Sequence, residues 1–153
     1  MTQLSEIYST RILELAAAIP RSARLAAPDA TATAHSKLCG STIAVDLVMD
    51  GDVIVDFGQT VRACLLGQSA AAIVGREIVG TSASEIRSVA EIMRRMLKEN
   101  GPPPSGRWAD LAVLEPVRDY KARHTSTLLV FEAIEKAIGE IEARRAASAS
   151  ASG

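Results

Sequence analysis

Two cysteines, one tryptophan, two tyrosines and two phenylalanines are all that this 153-residue chain holds of those residue types. Cys39 and Cys64 are too few for a disulfide framework, and in a reducing compartment such a pair is more often buried, catalytic or metal-binding. Aromatic residues make up 3% of the chain, which argues against the base-stacking surface of single-strand binders. Neither sign of charge dominates, with 17 Lys and Arg against 18 Asp and Glu, so neither nucleic acid nor an anionic lipid surface is expected as partner. No apolar run approaches the roughly 18 to 20 residues of a membrane span. The start, Met1-Thr2-Gln3-Leu4-Ser5-Glu6, lacks a basic region followed by an apolar stretch, and a cytoplasmic location is expected. Also missing are a glycine-rich phosphate cradle, a Gly-x-Ser-x-Gly elbow and a His-Glu-x-x-His pair.

What remains is ordinary globular material, 48% hydrophobic and 23% charged. It predicts one domain over residues 1–145 and a disordered low-complexity tail over 146–153, where Ala and Ser alternate.

Glu6 to Ile19 carries apolar residues at helical spacing and stops at Pro20. Residues 21 to about 37, rich in Ala, Ser, Thr and Pro, read as a loop. From Thr42 the chain alternates, with Ile43, Val45, Leu47 and Met49 on one face, and Asp50-Gly51 predicts a hairpin turn into a strand over Val53 to Phe57. Gly58 reads as a break before a third strand, Gln59 to Arg62. Asp46, Asp50, Asp52 and Asp56 then fall on the wet face and turn of the hairpin.

After Cys64 a small-residue helix is expected, ending near Gly75 or Gly80. Ser82-Ala83-Ser84-Glu85 spells a capping box before a stripe of Ile86, Val89, Ala90, Met93, Met96 and Leu97. Trp108 to Leu114 reads as a short helix, and Thr125 to Arg145 as a long one. The fold class is α+β: a small three-stranded antiparallel sheet covered by helices, with an N-terminal helix and a long C-terminal helix.

Cys39 stands directly before the first predicted strand and Cys64 where the last one meets a helix, so both fit one edge of the sheet. On spacing alone the two cysteines read more readily as small buried hydrophobes, since Cys-x24-Cys is not a recognised zinc spacing. His124 opens the C-terminal helix, where a histidine is more often a structural hydrogen-bonding residue, and His35 is a weaker candidate still. Residue types alone leave this open.

Three segments carry a resemblance beyond spacing: Leu38-Cys39-Gly40-Ser41, Cys64-Leu65-Leu66-Gly67-Gln68-Ser69-Ala70, and Leu114 to Leu128 with Arg123-His124-Thr125 at its centre. Together with Tyr8 in the first helix, they resemble the iron-sulfur cluster assembly scaffold family typified by IscU, SufU and the N-terminal domain of NifU, over about residues 6 to 141. The insertion containing Pro102-Pro103-Pro104 and Trp108 is similar to the SufU branch, and His124 to the IscU branch. Two positions depart from the family pattern. Its third cysteine falls on Thr125 and the aspartate after Cys-Gly on Ser41, and a hydroxyl is a poor substitute for a thiolate toward iron or zinc. The Leu-Pro-Pro-Val-Lys chaperone-recognition motif of the IscU branch is absent.

The resemblance implies a binding protein rather than an enzyme. It would be a scaffold or accessory factor that holds a zinc or iron ion, or a labile iron-sulfur cluster, through Cys39, Cys64 and His124. It would dock on a cysteine desulfurase and serve other cluster assembly or acceptor proteins. Alternatives within the resemblance are a zinc-dependent sulfur acceptor of SufU type and a paralogue that keeps the fold without metal. The metal-binding readings require the two sulfurs and the imidazole to share one pocket.

Overall fold

The structure is a computed structural model that describes residues 9–37 and 40–152, with side chains as far as 149. Tyr8, Leu38 and Cys39 lie outside the described residues.

Helix α1 (Thr10–Ala17) starts at Ser9, whose hydroxyl accepts from the Ile12 amide, and buries Ile12 and Leu15. The expected helix is therefore two residues shorter before Pro20. The sheet has three antiparallel strands in the order β1 (Ala30–His35), β2 (Thr42–Asp50) and β3 (Val53–Arg62). Strand count and class agree with the sequence reading, but membership does not.

β1 lies inside the segment read as a loop. Its repeat Ala-Thr-Ala-Thr-Ala has the period of a strand but almost no hydropathy contrast, and Ala30, Ala32 and Ala34 are buried because alanine lets a helix approach closely. Gly58 does not break the hairpin either. β3 runs through it, with Asp46 opposite Gly58 and Phe57 opposite Leu47. Glycine is needed there for another reason: a Cβ at Gly58 would stand 2.3 Å from the carbonyl oxygen of Ala23, where the chain ahead of β1 crosses the sheet.

That crossing segment corrects a third expectation. Asp46 does not face water but is 1% exposed. Its carboxylate accepts from Arg24 at 2.7 and 3.2 Å, from the Leu25 amide at 2.9 Å and from the Thr31 hydroxyl at 2.6 Å. Burial would raise the Asp46 pKa, but the bonds from Arg24, Thr31 and Leu25 outweigh it and hold the group below the ordinary carboxylate range. Asp50 and Asp52, at the exposed turn, behave as expected.

The other face of the sheet carries Ile43, Val45, Leu47, Met49, Ile54 and Phe57 into the core. Helix α2 (Leu65–Glu77), α3 (Ala83–Lys98) and α4 (His124–Ser152) complete it, α4 lying against β1, β2, α2 and α3. Burying each of the larger side chains, such as Phe57 or Phe131, contributes about 1.5–3 kcal/mol. The small residues predicted after Cys64 make α2 the central helix: Ser69 donates to the Ile12 carbonyl at 2.9 Å, joining α2 to α1.

Ser82 caps α3 by accepting from the Glu85 amide at 3.0 Å, half of the predicted capping box. The Glu85 carboxylate is used elsewhere, accepting from Trp108 Nε1 at 2.8 Å and from Arg107. Trp108 to Leu114, expected as a short helix, lies within a longer run of 3₁₀ turns over Gly106–Asp119, followed by another at Lys121–Arg123. Pro116 within the run is compatible with these tighter turns. α4 continues as helix through the Ala/Ser-rich segment, exposed from Glu142 to Ala149.

The outer edge of β3 is covered at both ends. The Gln59 amide donates to the Arg21 carbonyl at 2.9 Å, and the Ile54 amide to the Thr81 carbonyl at 2.9 Å.

Candidate functional site

His35, Thr42 and Arg62 are in register across the three strands, so the β1–β2 loop and the end of β3 leave from the same end of the sheet. The loop closes on itself, with Ser36 N–H donating to the Ser41 carbonyl at 2.8 Å and Gly40 N–H to the Ser36 carbonyl at 2.9 Å. Cys39, predicted as a ligand, belongs to this loop but lies outside the described residues.

Cys64 follows Arg62 by two residues and is the N-cap of α2, partly exposed, with no cap hydrogen bond from its side chain. Its Sγ instead points at Ser126 Oγ, 3.5 Å away in the first turn of α4. Ser126 is 1% exposed and its own hydroxyl proton goes to the Arg123 carbonyl at 3.2 Å, so it meets the thiol as an acceptor. The helices come this close because of Gly67: an added Cβ would be 2.9 Å from the Ser126 carbonyl oxygen.

His124 opens α4 and is 6% exposed. Nε2 is 3.1 Å from the carbonyl oxygens of both Val117 and Arg118. Carbonyls only accept, so Nε2 carries the proton, and in the neutral ring the lone pair is on Nδ1. A ligating imidazole is oriented in this way, by its other ring N–H on a backbone carbonyl. The same bonds tie the 3₁₀ run to α4, a structural role that the imidazole fills whatever it binds.

The structure thus brings Cys64 to the turn that His124 begins. Among the described residues no group of three or more His, Cys, Asp and Glu could hold a metal ion, and these two supply one sulfur and one ring nitrogen. The donor chemistry fits a soft divalent metal but is short without Cys39. Thr125, where the family has its third cysteine, is exposed and opens onto a cleft of about 850 Å³ beside Lys98, Arg118 and Lys121. Ser41 is buried and its carbonyl closes the loop. His35 is exposed, with Nδ1 3.2 Å from Thr42 Oγ1 across the strands.

Sequence reasoning missed Ser126 as the contact of Cys64. Its only signal is position, two residues beyond His124 within the third motif. The cleft beside Thr125 had no linear signal, since Lys98 and Lys121 are separated by the whole 3₁₀ run.

No known family profile matches this sequence, and no curated protein matches it. Solved structures do. The chain is similar to the N-terminal part of a nitrogen-fixing NifU-like protein from Brucella abortus, with 52% identity, a TM-score of 0.89, and coverage of 91% of this chain and 96% of that one. A candidate iron-sulfur cluster assembly scaffold protein for the SUF system of Fervidobacterium islandicum AW-1 is 18% identical, with a TM-score of 0.80 over 88% of this chain and 98% of that one. A hypothetical protein is 19% identical, with a TM-score of 0.78 over 89% and 99%. The last two show the shared fold. No helix among the described residues is long and apolar enough to cross a membrane. On the first similarity, spanning nearly the full length of both chains, the protein belongs to the family of IscU, SufU and the NifU N-terminal domain.

Proposed function

We propose that this protein is a scaffold or accessory factor of iron-sulfur cluster assembly. It would take iron, zinc or a labile cluster as cargo on Cys39, Cys64 and His124 and receive sulfur while docked on a cysteine desulfurase. The observation that carries this reading is the state of His124: buried, held through Nε2–H by two carbonyls, and presenting Nδ1 in the turn whose Ser126 touches Cys64. The similarity at 52% identity to a NifU-like protein supports the same reading. With three protein donors the cargo would be exchangeable, as a carrier needs.

Metal analysis of anaerobically purified protein tests it. About one equivalent of iron or zinc is expected, falling to a small fraction in Cys39→Ser and Cys64→Ser. Metal-free wild-type protein would overturn the reading.

A second reading is favoured by Thr125, whose exposed hydroxyl stands where the family has a thiolate. On this reading the chain keeps the fold as an interaction module without metal. Transfer of labelled sulfur from a cysteine desulfurase to Cys39 or Cys64 would exclude it.

A further inference from the structure

Cys64 caps α2 without a cap bond from its side chain, and its sulfur turns instead to Ser126 Oγ at 3.5 Å. The cysteine is partly exposed while Ser126 is 1% exposed, so a soft cation can reach the sulfur from solvent with the hydroxyl standing on its buried side. Gly67 holds this spacing from the other helix: a Cβ there would be 2.9 Å from the Ser126 carbonyl oxygen.

The carbonyl oxygen of Arg123 accepts from two hydroxyls, Thr127 at 2.8 Å and Ser126 at 3.2 Å. Both are the local bonds that Ser and Thr make to the preceding turn of a helix. The Thr127 bond is the shorter, and Thr127 is fully buried, so the carbonyl stays satisfied when Ser126 gives up its own bond. A hydroxyl redirects its proton by turning about Cβ–Oγ, with the oxygen left in place. While Cys64 is a thiol, its S–H donates weakly to Ser126 Oγ. A sulfur that has lost its proton can only accept, and the same oxygen, once turned, supplies the donor. A hydrogen bond to a charged acceptor is stronger than the neutral one it replaces.

We propose that Ser126 is a positioning residue for Cys64: its hydroxyl swings from the Arg123 carbonyl to the sulfur when a soft cation displaces the thiol proton, and Thr127 keeps the carbonyl satisfied. In that step the S–H bond breaks, a sulfur–metal bond forms and the proton leaves to water, with no change of oxidation state. The turned hydroxyl occupies the buried side of the sulfur and leaves the solvent side to the cation. Groups that orient a ligand in this way typically change metal affinity by about 10- to 100-fold. The cargo is the one proposed above, and the role of Ser126 toward it rests on that reading; the swing itself can be read with a cation that needs Cys64 alone.

Methylmercury is such a cation, since it binds one thiolate and requires neither Cys39 nor His124. The full chain carrying Cys39→Ser, whose one remaining thiol is Cys64, is exchanged against excess N-acetylcysteine, and the bound fraction and the mercury resonance are followed by nuclear magnetic resonance. Ser126→Ala should shift the exchange toward N-acetylcysteine by about fivefold and move the mercury resonance. Thr127→Val leaves Ser126 as the one hydroxyl on the Arg123 carbonyl, which pins its proton there, and should cost about threefold. In the Ser126→Ala chain the same Thr127→Val should add less than about twofold, because the two hydroxyls act through one proton. Ser69→Ala, which removes a buried hydroxyl of α2 from the Ile12 carbonyl, should stay within about twofold. An unchanged exchange in Ser126→Ala, a Thr127→Val loss that persists without the Ser126 hydroxyl, or an equal loss in Ser69→Ala would each overturn the proposal. Wild-type protein free of iron and zinc would overturn the cargo reading, while the methylmercury exchange still decides on the swing.

Discussion

The sulfur of Cys64 meets the hydroxyl oxygen of Ser126 at 3.5 Å, so the heads of α2 and α4 converge on one point. Gly67 makes that convergence possible, since its missing Cβ would sit 2.9 Å from the Ser126 carbonyl oxygen. Gly67→Ala should therefore destabilise the fold by about 1–3 kcal/mol, although alanine is the better helix former. Urea denaturation followed by circular dichroism would show the midpoint falling. A rise would mean that the two helices have room to spare.

Asp46 predicts an acid dependence. Its folded pKa is lowered, so the stability it contributes is fully present above the unfolded value of about 3.9 and is lost as pH falls through the lower folded value. Wild-type stability should decline below about pH 4, and Asp46→Asn should flatten that decline while costing about 1–3 kcal/mol at pH 7. Denaturant titrations at pH 7 and pH 3 provide the comparison. Equal slopes for the two proteins would show that the Arg24 strap is not held by the ionised carboxylate.

Trp108 and Glu85 join the 3₁₀ run to the first turn of α3 through a 2.8 Å bond. Trp108 and Arg107 both hold the Glu85 pKa below its ordinary range. Trp108→Phe keeps most of the buried ring and removes the donor, so a loss of about 1 kcal/mol is expected. Differential scanning calorimetry should record a melting point lower by about 2–4 °C, and an unchanged one would show the bond to be idle.

Thr125→Cys would place a thiol where the family has its third cysteine, one residue from the Nδ1 lone pair of His124. Zinc affinity, measured by competition with a chromophoric chelator, should rise at least tenfold. Affinity equal to wild type would mean that position 125 points away from the other donors, as its opening onto the cleft allows.

Strong periodicity made much of the fold legible. Ile43, Val45, Leu47 and Met49 announced β2, the Ile86 to Leu97 stripe announced α3, and Cys64 stands at the start of α2, where a helix was expected after it. β1 was hidden because alternating Ala and Thr give only a weak hydropathy contrast, while the burial of the alanines comes from α4. Asp46 was misread for a related reason: its partners Arg24 and Leu25 lie more than twenty residues back, on a segment with no period of its own. At the site, the residue types of Cys64 and His124 could be read directly. The Ser126 contact and the two carbonyls on Nε2 depend on how α2, α4 and the 3₁₀ run meet.

The strap over Gly58 and the segment at Thr81 occupy the hydrogen-bonding border of β3, and Lys136 reaches the Thr33 carbonyl on β1. Neighbouring molecules in a crowded solution therefore find one border of the sheet already blocked and a short, partly guarded one at the other. The arrangement resists edge-to-edge polymerisation without a single proline in any strand.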